Sequence, residues 1–292
     1  MIQKAAFLGL GNMGSSIAQN LAKSSFSVKG WNRTQTNRPL VEQAHQNGVK
    51  VVATIQEAVG DAQIICTCVS DVQDVKQVIF GDGGIIHHAQ ADAIVIDFST
   101  IGTQAVQEIA EKLKPYHLHF MDAPVSGGDI GAQNGTLTIM VGGNQADYEK
   151  SLPILQAIGK SITYCGEIGS GQAVKLCNQV LCAIHMVALC EAVELAKTFD
   201  LNPSLMIEVC STGAAGSWAL SNLGPKVLAS DFAPGFMVKH ILKDLRLVQE
   251  SLGDRRLLGI SLADRMFKVV QDLSGAEQGT QAMIRTYQEA HS

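Results

Sequence analysis

From residue 5 to about 165 short apolar runs alternate with stretches of helical periodicity, and this alternation restricts the fold more than any other feature. The runs at Ala5–Leu10, Val28–Trp31, Ile64–Cys68, Ala93–Asp97 and His119–Asp122 are predicted strands. Helices are predicted between them at about Met13–Ser24, Pro39–Gln46, Val72–Phe80 and Thr103–Leu113. Strand–helix alternation of this kind makes a parallel sheet with helices on both faces. A later run at Thr136–Val141, a helix and Ser161–Cys165 extend the sheet at its edge.

After Cys165 the pattern is helical throughout, beginning with one long stretch from Ile168 to Lys197. Helices follow at about 203–210, 217–229, 239–252, 259–270 and 277–289. The 292 residues therefore divide into an α/β domain over 1–165 and an all-α domain over 166–292, in keeping with domains of about 100–200 residues. A hydrophobic content of 46% against 17% charged supplies ample core material and excludes a disordered chain. The net charge is −5 with no basic stripe, so no nucleic-acid partner is expected. The longest apolar stretch, Val180–Cys190, is interrupted by His185 and falls short of the roughly 18 residues of a membrane span. The N-terminus has glycine-rich turn chemistry where a signal peptide has its cleavage site. With seven cysteines and no CxxC pair, the expected setting is the reducing cytoplasm. The eight histidines form no HxxxH pair, so no metal site is expected.

The first candidate site is Gly9-Leu10-Gly11-Asn12-Met13-Gly14, between a predicted strand and a predicted helix. Such glycines have separable tasks: the first permits a tight turn, the second lets backbone approach a pyrophosphate, and the third lets helix pack on strand. Phosphates then meet the exposed amides of the helix N-terminus. A glycine-rich turn with no ligand is the alternative.

At the end of the second strand, an acid would bind the ribose 2′-hydroxyl of NAD. This chain has Asn32-Arg33-Thr34 instead. An acid would repel a 2′-phosphate, whereas Arg33 pairs with one and Thr34 donates to it, with Arg38 as a further charge. NADP(H) is therefore expected in preference to NAD(H), although a solvated surface arginine remains an alternative for Arg33.

Asp122-Ala123-Pro124-Val125-Ser126-Gly127-Gly128 follows another predicted strand. Successive amides in such a turn form a nest for a carboxylate, joined by the Ser126 hydroxyl; a purely structural turn is equally open.

Lys175 is the only Asp, Glu, Lys or Arg between Glu167 and Glu191. An ammonium on an apolar helix is costly unless it is paired or used. Helical spacing sets Gly171, Gln172, Lys175, Asn178, Gln179 and Cys182 on one stripe. A lysine snorkelling to the surface is the competing reading.

With these segments in view, the chain resembles the β-hydroxyacid dehydrogenase family, which includes 3-hydroxyisobutyrate dehydrogenase, tartronate semialdehyde reductase and the glyoxylate/succinic semialdehyde reductases. The resemblance rests on GLGNMG at 9–14, DFST at 97–100, DAPVSGG at 122–128, GSGQAVKLCNQ at 169–179 and KDL at 243–245, and spans nearly the whole chain. NRT at 32–34 and FMVKHILKD at 236–244 look most like the NADPH-dependent glyoxylate/succinic semialdehyde reductase branch. It implies a Rossmann-type N-terminal domain and an all-α C-terminal domain joined by a long helix. It also implies Lys175 as the catalytic acid/base, with Asn178 and Ser126 in the catalytic set. The cofactor would be held by Gly9, Gly11, Asn12, Met13, Gly14, Asn32, Arg33, Thr34, Val69, Thr100 and Lys243. The substrate would meet Thr100, Ser126, Gly127, Gly128, Gln179, Phe236 and Asp244. Several relatives carry Asn four residues after the lysine, where this chain has Gln179; which of Asn178 and Gln179 holds the substrate hydroxyl stays open.

The expected reaction is NADPH-dependent reduction of a small aldehyde acid, such as succinic semialdehyde or glyoxylate, to the hydroxy acid. Alternatives are a 3-hydroxyisobutyrate or tartronate semialdehyde enzyme, an imine reductase, and a non-catalytic NADP-binding interaction module. The apolar C-terminal helices suggest a homodimer or homotetramer.

Overall fold

A computed structural model of the protein describes residues 4–34 and 39–289; Arg38 lies outside them. The chain divides into two compact units, Met1–Lys175 and Leu176–Ser292.

In the first unit the strands are β1 (Lys4–Leu8), β2 (Ser27–Trp31), β3 (Lys50–Val51), β4 (Ile64–Thr67), β5 (Ile94–Asp97), β6 (His119–Asp122), β7 (Val125–Ser126), β8 (Leu137–Gly142) and β9 (Gly159–Gly166). The helices are α1 (Asn12–Lys23), α2 (Pro39–Gln46), α3 (Ile55–Val59), α4 (Val72–Phe80), α5 (Thr103–Leu113), α6 (Gly128–Asn134) and α7 (Gln145–Gln156). Six strands pair in parallel in the order β3-β2-β1-β4-β5-β6. At the far edge β8 runs antiparallel to β6 and β7, and β9 pairs parallel with β8. The expected α/β architecture is the observed one, with the strand order of a dinucleotide-binding sheet.

Alternate side chains of one strand feed two separate cores, which is why the strands read as unbroken apolar runs. Phe7 packs with Ile17 and Leu21 of α1, while Ala6 and Leu8 pack with Val75 and Ile79 of α4 on the other face. All of these are fully buried, each of the larger ones contributing about 1.5–3 kcal/mol of hydrophobic free energy. β1 stops at Leu8, two residues before the predicted end, because Gly9 turns the chain at φ +103°. Four short elements escape the sequence pattern: β3, α3, β7 and α6. Only α3 carries a readable signal, Thr54-x-x-Glu57, in which the Thr54 hydroxyl accepts from the Glu57 amide.

The strand register aligns the carboxyl ends. Trp31 lies beside Leu8, Leu8 beside Thr67, Thr67 beside Asp97 and Asp97 beside Asp122. The loops following β1, β2, β4, β5 and β6 therefore leave from a single row. In open α/β sheets that edge is where ligands bind.

The next helix, α8 (Ser170–Thr198), crosses the boundary between the units. The boundary lies ten residues beyond the expected 165 because the first turn of α8 is hydrogen-bonded to the first unit, as described below. The second unit continues with α9 (Pro203–Thr212), α10 (Trp218–Leu228), α11 (Val238–Leu252) and α12 (Leu258–Val270). The expected helix over 277–289 is instead a 3₁₀ turn, Thr280–Ile284, followed by α13 (Arg285–Glu289). Gly224 lies inside α10, where a Cβ would come within 2.9 Å of Ile207 on α9.

By length and composition α8 is long and apolar enough to cross a membrane, which corrects the expectation that no stretch of the chain reaches that threshold. Its apolar residues have another use in this fold. Leu176, Ala183, Met186, Val187, Cys190 and Val193 are buried in the core of the second unit with Ile241, Leu245, Ile260 and Phe267.

Candidate functional site

The three glycines after β1 occupy three different environments. A Cβ on Gly9 would lie 2.3 Å from the Cys68 carbonyl oxygen, and its φ is left-handed. A Cβ on Gly14 would lie 1.9 Å from the Gly9 carbonyl oxygen, so α1 packs directly on the turn. Gly11 is exposed, and a Cβ there would meet no protein atom within 4 Å. Turn, close packing and open approach are the tasks a dinucleotide-binding turn assigns to these positions. Asn12 and Met13 begin α1, whose first turn holds no acidic residue and whose N-cap makes no side-chain hydrogen bond. Its first amides are thus available for an anion. The residues present fit a dinucleotide.

Asn32 stitches this turn to the end of β2. The Leu10 amide donates to its Oδ1 at 2.9 Å, and its Nδ2 donates to the Thr34 carbonyl at 2.8 Å. Sequence reasoning found the missing acid but not this brace. Arg33 is largely exposed, and its guanidinium donates to Asp74 at the start of α4 at 2.8 Å; Thr34 is exposed. After β4, the Val69 amide donates to the Ser99 hydroxyl at 2.9 Å, tying together two loops of the row. Thr100 follows, half-buried.

Ser126 lies on β7, opposite Thr138 of β8, where a free turn is expected from the sequence. The turn proper is Gly127 and Gly128, at φ +127° and +61°, leading into α6. Backbone pairing to β8 thus fixes where Ser126 sits, half-buried at the sheet edge.

Two residues that lie in the candidate segments, but to which sequence reasoning gave no role, organise the start of α8. Asp122, fully buried, accepts from the Gly169 amide through Oδ1 and from the Gln172 amide through Oδ2, each at 2.7 Å. Burial pushes its carboxyl above the usual range, opposed by those amide hydrogen bonds. Gln172, also fully buried, accepts from the amides of Ile101 and Gly102 at 3.0 Å each and donates to the Ser99 carbonyl at 2.8 Å. Lys175 follows one turn later, 6% exposed. The snorkelling alternative is thereby removed.

In the second unit, Asn178 donates to the Gln179 side-chain carbonyl at 2.8 Å, and Gln179 donates in turn to the buried Asp244. Lys243 lies 3.1 Å from the other Asp244 oxygen. The Gln179 amide is therefore held at both ends by its own unit. Phe236 tilts against His240, ring centroids 6.0 Å apart. Burial, then Lys239 and Lys243, lowers the His240 pKa. Cys182, expected on the same stripe of α8, is exposed.

Residues 4–166 match a family model described as the NAD-binding domain of 6-phosphogluconate dehydrogenase. Residues 169–287 match one described as NAD-binding of NADP-dependent 3-hydroxyisobutyrate dehydrogenase. The chain is 55% identical to an uncharacterised oxidoreductase of Synechocystis, over 99% of each chain. It is 32% identical to an NAD-dependent L-serine dehydrogenase of Pseudomonas aeruginosa, over 95% of this chain and 100% of the other. Among solved structures, 3-hydroxyisobutyrate dehydrogenase of Mycobacterium tuberculosis with L-serine superposes with a TM-score of 0.87 at 29% identity, covering 98% and 99% of the two chains.

Proposed function

The chain belongs to the β-hydroxyacid dehydrogenase family of oxidoreductases, and from that premise we propose that it reduces a small aldehyde acid, of the succinic semialdehyde or glyoxylate type, to the hydroxy acid with NADPH. The observation that carries this reading is Lys175, a buried lysine and the only charged side chain between Glu167 and Glu191. NADPH, when bound, supplies hydride to the carbonyl carbon. Negative charge then develops on the carbonyl oxygen, where Lys175 donates a hydrogen bond and then a proton; neutral Lys175 takes that proton back in the reverse direction. Ser126, with the amides of Gly127 and Gly128, holds the carboxylate, and Thr100 borders substrate and cofactor.

The preference for NADPH rests on Asn32 and Arg33. Asn32 stands where an acid at the end of β2 would repel a 2′-phosphate, and the Arg33 guanidinium, although shared with Asp74, is largely exposed to meet one. A second reading, oxidation of a 3-hydroxy acid such as 3-hydroxyisobutyrate or L-serine, is favoured by the names of the relatives. We extend the proposal to a homo-oligomer, because Leu181, Ile184, Leu195, Leu205 and Val209 of α8 and α9 are exposed and large apolar patches mark association surfaces. A monomer by light scattering removes that part.

The deciding experiment is turnover with NADPH and NADH against glyoxylate, succinic, tartronate and methylmalonate semialdehydes, with 3-hydroxyisobutyrate and L-serine in the oxidative direction. Fastest reduction of a semialdehyde or glyoxylate with NADPH supports the reading. Activity only in oxidation favours the second, and binding of NADPH without any turnover makes the chain a non-catalytic module.

A further inference from the structure

The first turn of an α-helix presents amides that have no acceptor within the helix. In α8 this need is met by the sheet: Asp122, the last residue of β6, takes the amides of Gly169 and Gln172. The approach is close, for a Cβ on Gly171 would lie 2.3 Å from the Met140 carbonyl oxygen and 2.8 Å from Asp122 Oδ2. The Gln172 side chain then reaches the loop after β5, and its three hydrogen bonds go to backbone groups on both sides of Thr100: the Ser99 carbonyl before it, the Ile101 and Gly102 amides after it.

From this arrangement we infer that Gln172 is a positioning residue, setting Lys175 in register with Thr100. The inference rests on the reductase reading above. Lys175 is three residues further along the same helix, a rise of about 4.5 Å, so the rotation and height of that turn follow from where Gln172 is held. The chemistry demands a primary amide. One end must accept from two amides while the other donates to a carbonyl. A carboxylate lacks the donor, an asparagine is one methylene short, and an apolar side chain leaves three buried backbone groups without partners. Simple satisfaction of a buried loop is the competing explanation. It accounts for the three bonds without any consequence for turnover.

Gln172→Glu separates the two. A protonated carboxyl reproduces the whole pattern, its carbonyl oxygen accepting from Ile101 and Gly102 and its hydroxyl donating to Ser99. Once ionised it turns a charged oxygen against the Ser99 carbonyl. Asp122 and Asp97 face the same region and titrate in both proteins, so the readout is the variant relative to wild type. If Gln172 positions Lys175, kcat per cofactor-binding site approaches wild type at low pH and falls at least tenfold as the introduced carboxyl ionises. NADPH affinity falls by a smaller factor than kcat, because Gly9–Gly14 is untouched and only the Thr100 side of the cofactor site is disturbed. Deuterium exchange of the peptide spanning residues 99–102, measured without cofactor, rises over the same pH range beyond the wild-type dependence. A variant whose kcat per site follows wild type at every pH, even while its Tm changes, overturns the inference. If Gln172→Glu does not fold, Gln172→Met carries the test. A fall in kcat per site of about 10–100-fold with little change in KM is expected, as for a small misplacement of a catalytic group, and a kcat within twofold of wild type overturns the inference. An inactive wild type overturns the reaction and this inference together, whereas an active wild type with a flat Gln172→Glu profile overturns the inference alone.

Discussion

Asp97, the last residue of β5, should make the first unit less stable as pH rises, and the size of the effect follows from its surroundings. Its side chain is fully buried. Oδ1 accepts from the Thr67 hydroxyl at 2.7 Å and from the Ser99 amide at 3.1 Å, while Oδ2 has no partner among the described residues. Burial dominates these hydrogen bonds and pushes the carboxyl up from 3.8 to about 6. Between those values the native state holds a proton that the unfolded chain has released, so stability falls as pH rises through that window. Two units at 1.36 kcal/mol each make the loss about 3 kcal/mol by pH 7. Asp97→Asn keeps the acceptor for Thr67 and Ser99 and cannot ionise. Its Nδ2 still lacks a partner, a cost of about 1–3 kcal/mol that does not depend on pH. Part of that loss already lies below pH 4, so relative to wild type the variant should gain about 2 kcal/mol between pH 4 and pH 7.5. The assay is guanidinium unfolding followed by Trp31 fluorescence in a Trp218→Phe background, since these are the two tryptophans of the chain and Trp31 reports the first unit. A difference between the proteins that changes by less than about 1 kcal/mol across that range would refute the assignment of the unpaired buried carboxyl as its source.

Lys175→Ala should bind NADPH nearly as wild type and lose about 10²–10⁴-fold in kcat, checked by cofactor titration and steady-state kinetics; near-wild-type turnover ends its role as the acid. Ser126→Ala should mainly raise KM for aldehyde acids by the equivalent of about 1.5–3 kcal/mol, and an unchanged KM together with equal activity on uncharged aldehydes contradicts the carboxylate assignment. Arg33→Ala should lower kcat/KM for NADPH by about tenfold and leave NADH alone. The effect is kept small because the guanidinium is largely exposed and already shared with Asp74, and equal loss with both cofactors makes Arg33 a surface residue.

The sequence by itself determined the sheet, the two-part organisation and the first glycine-rich turn, because each is written in local pattern. Apolar runs buried on both faces, as at Ile64–Thr67, and glycines whose Cβ would strike Cys68 or Gly9 leave little choice of structure. Lys175 was legible for a similar reason, as the single charge between Glu167 and Glu191. The anchoring of that helix was not. Asp122 binds residues 47 and 50 positions away, and Gln172 binds residues 70 to 73 positions away. No periodicity links such positions. They meet because the strand register brings Asp97 beside Asp122 at the carboxyl edge of the sheet. The same holds for Asn32, whose missing charge is visible in the sequence but whose amide braces Leu10 only once β1 and β2 pair. Composition also misleads for α8, which has the length and hydropathy of a membrane span, while the core residues it shares include Ile241 and Leu245 of α11 and Ile260 and Phe267 of α12, more than forty positions beyond its end. Local pattern fixes which elements form; which buried polar groups find partners depends on the order and register in which those elements pack.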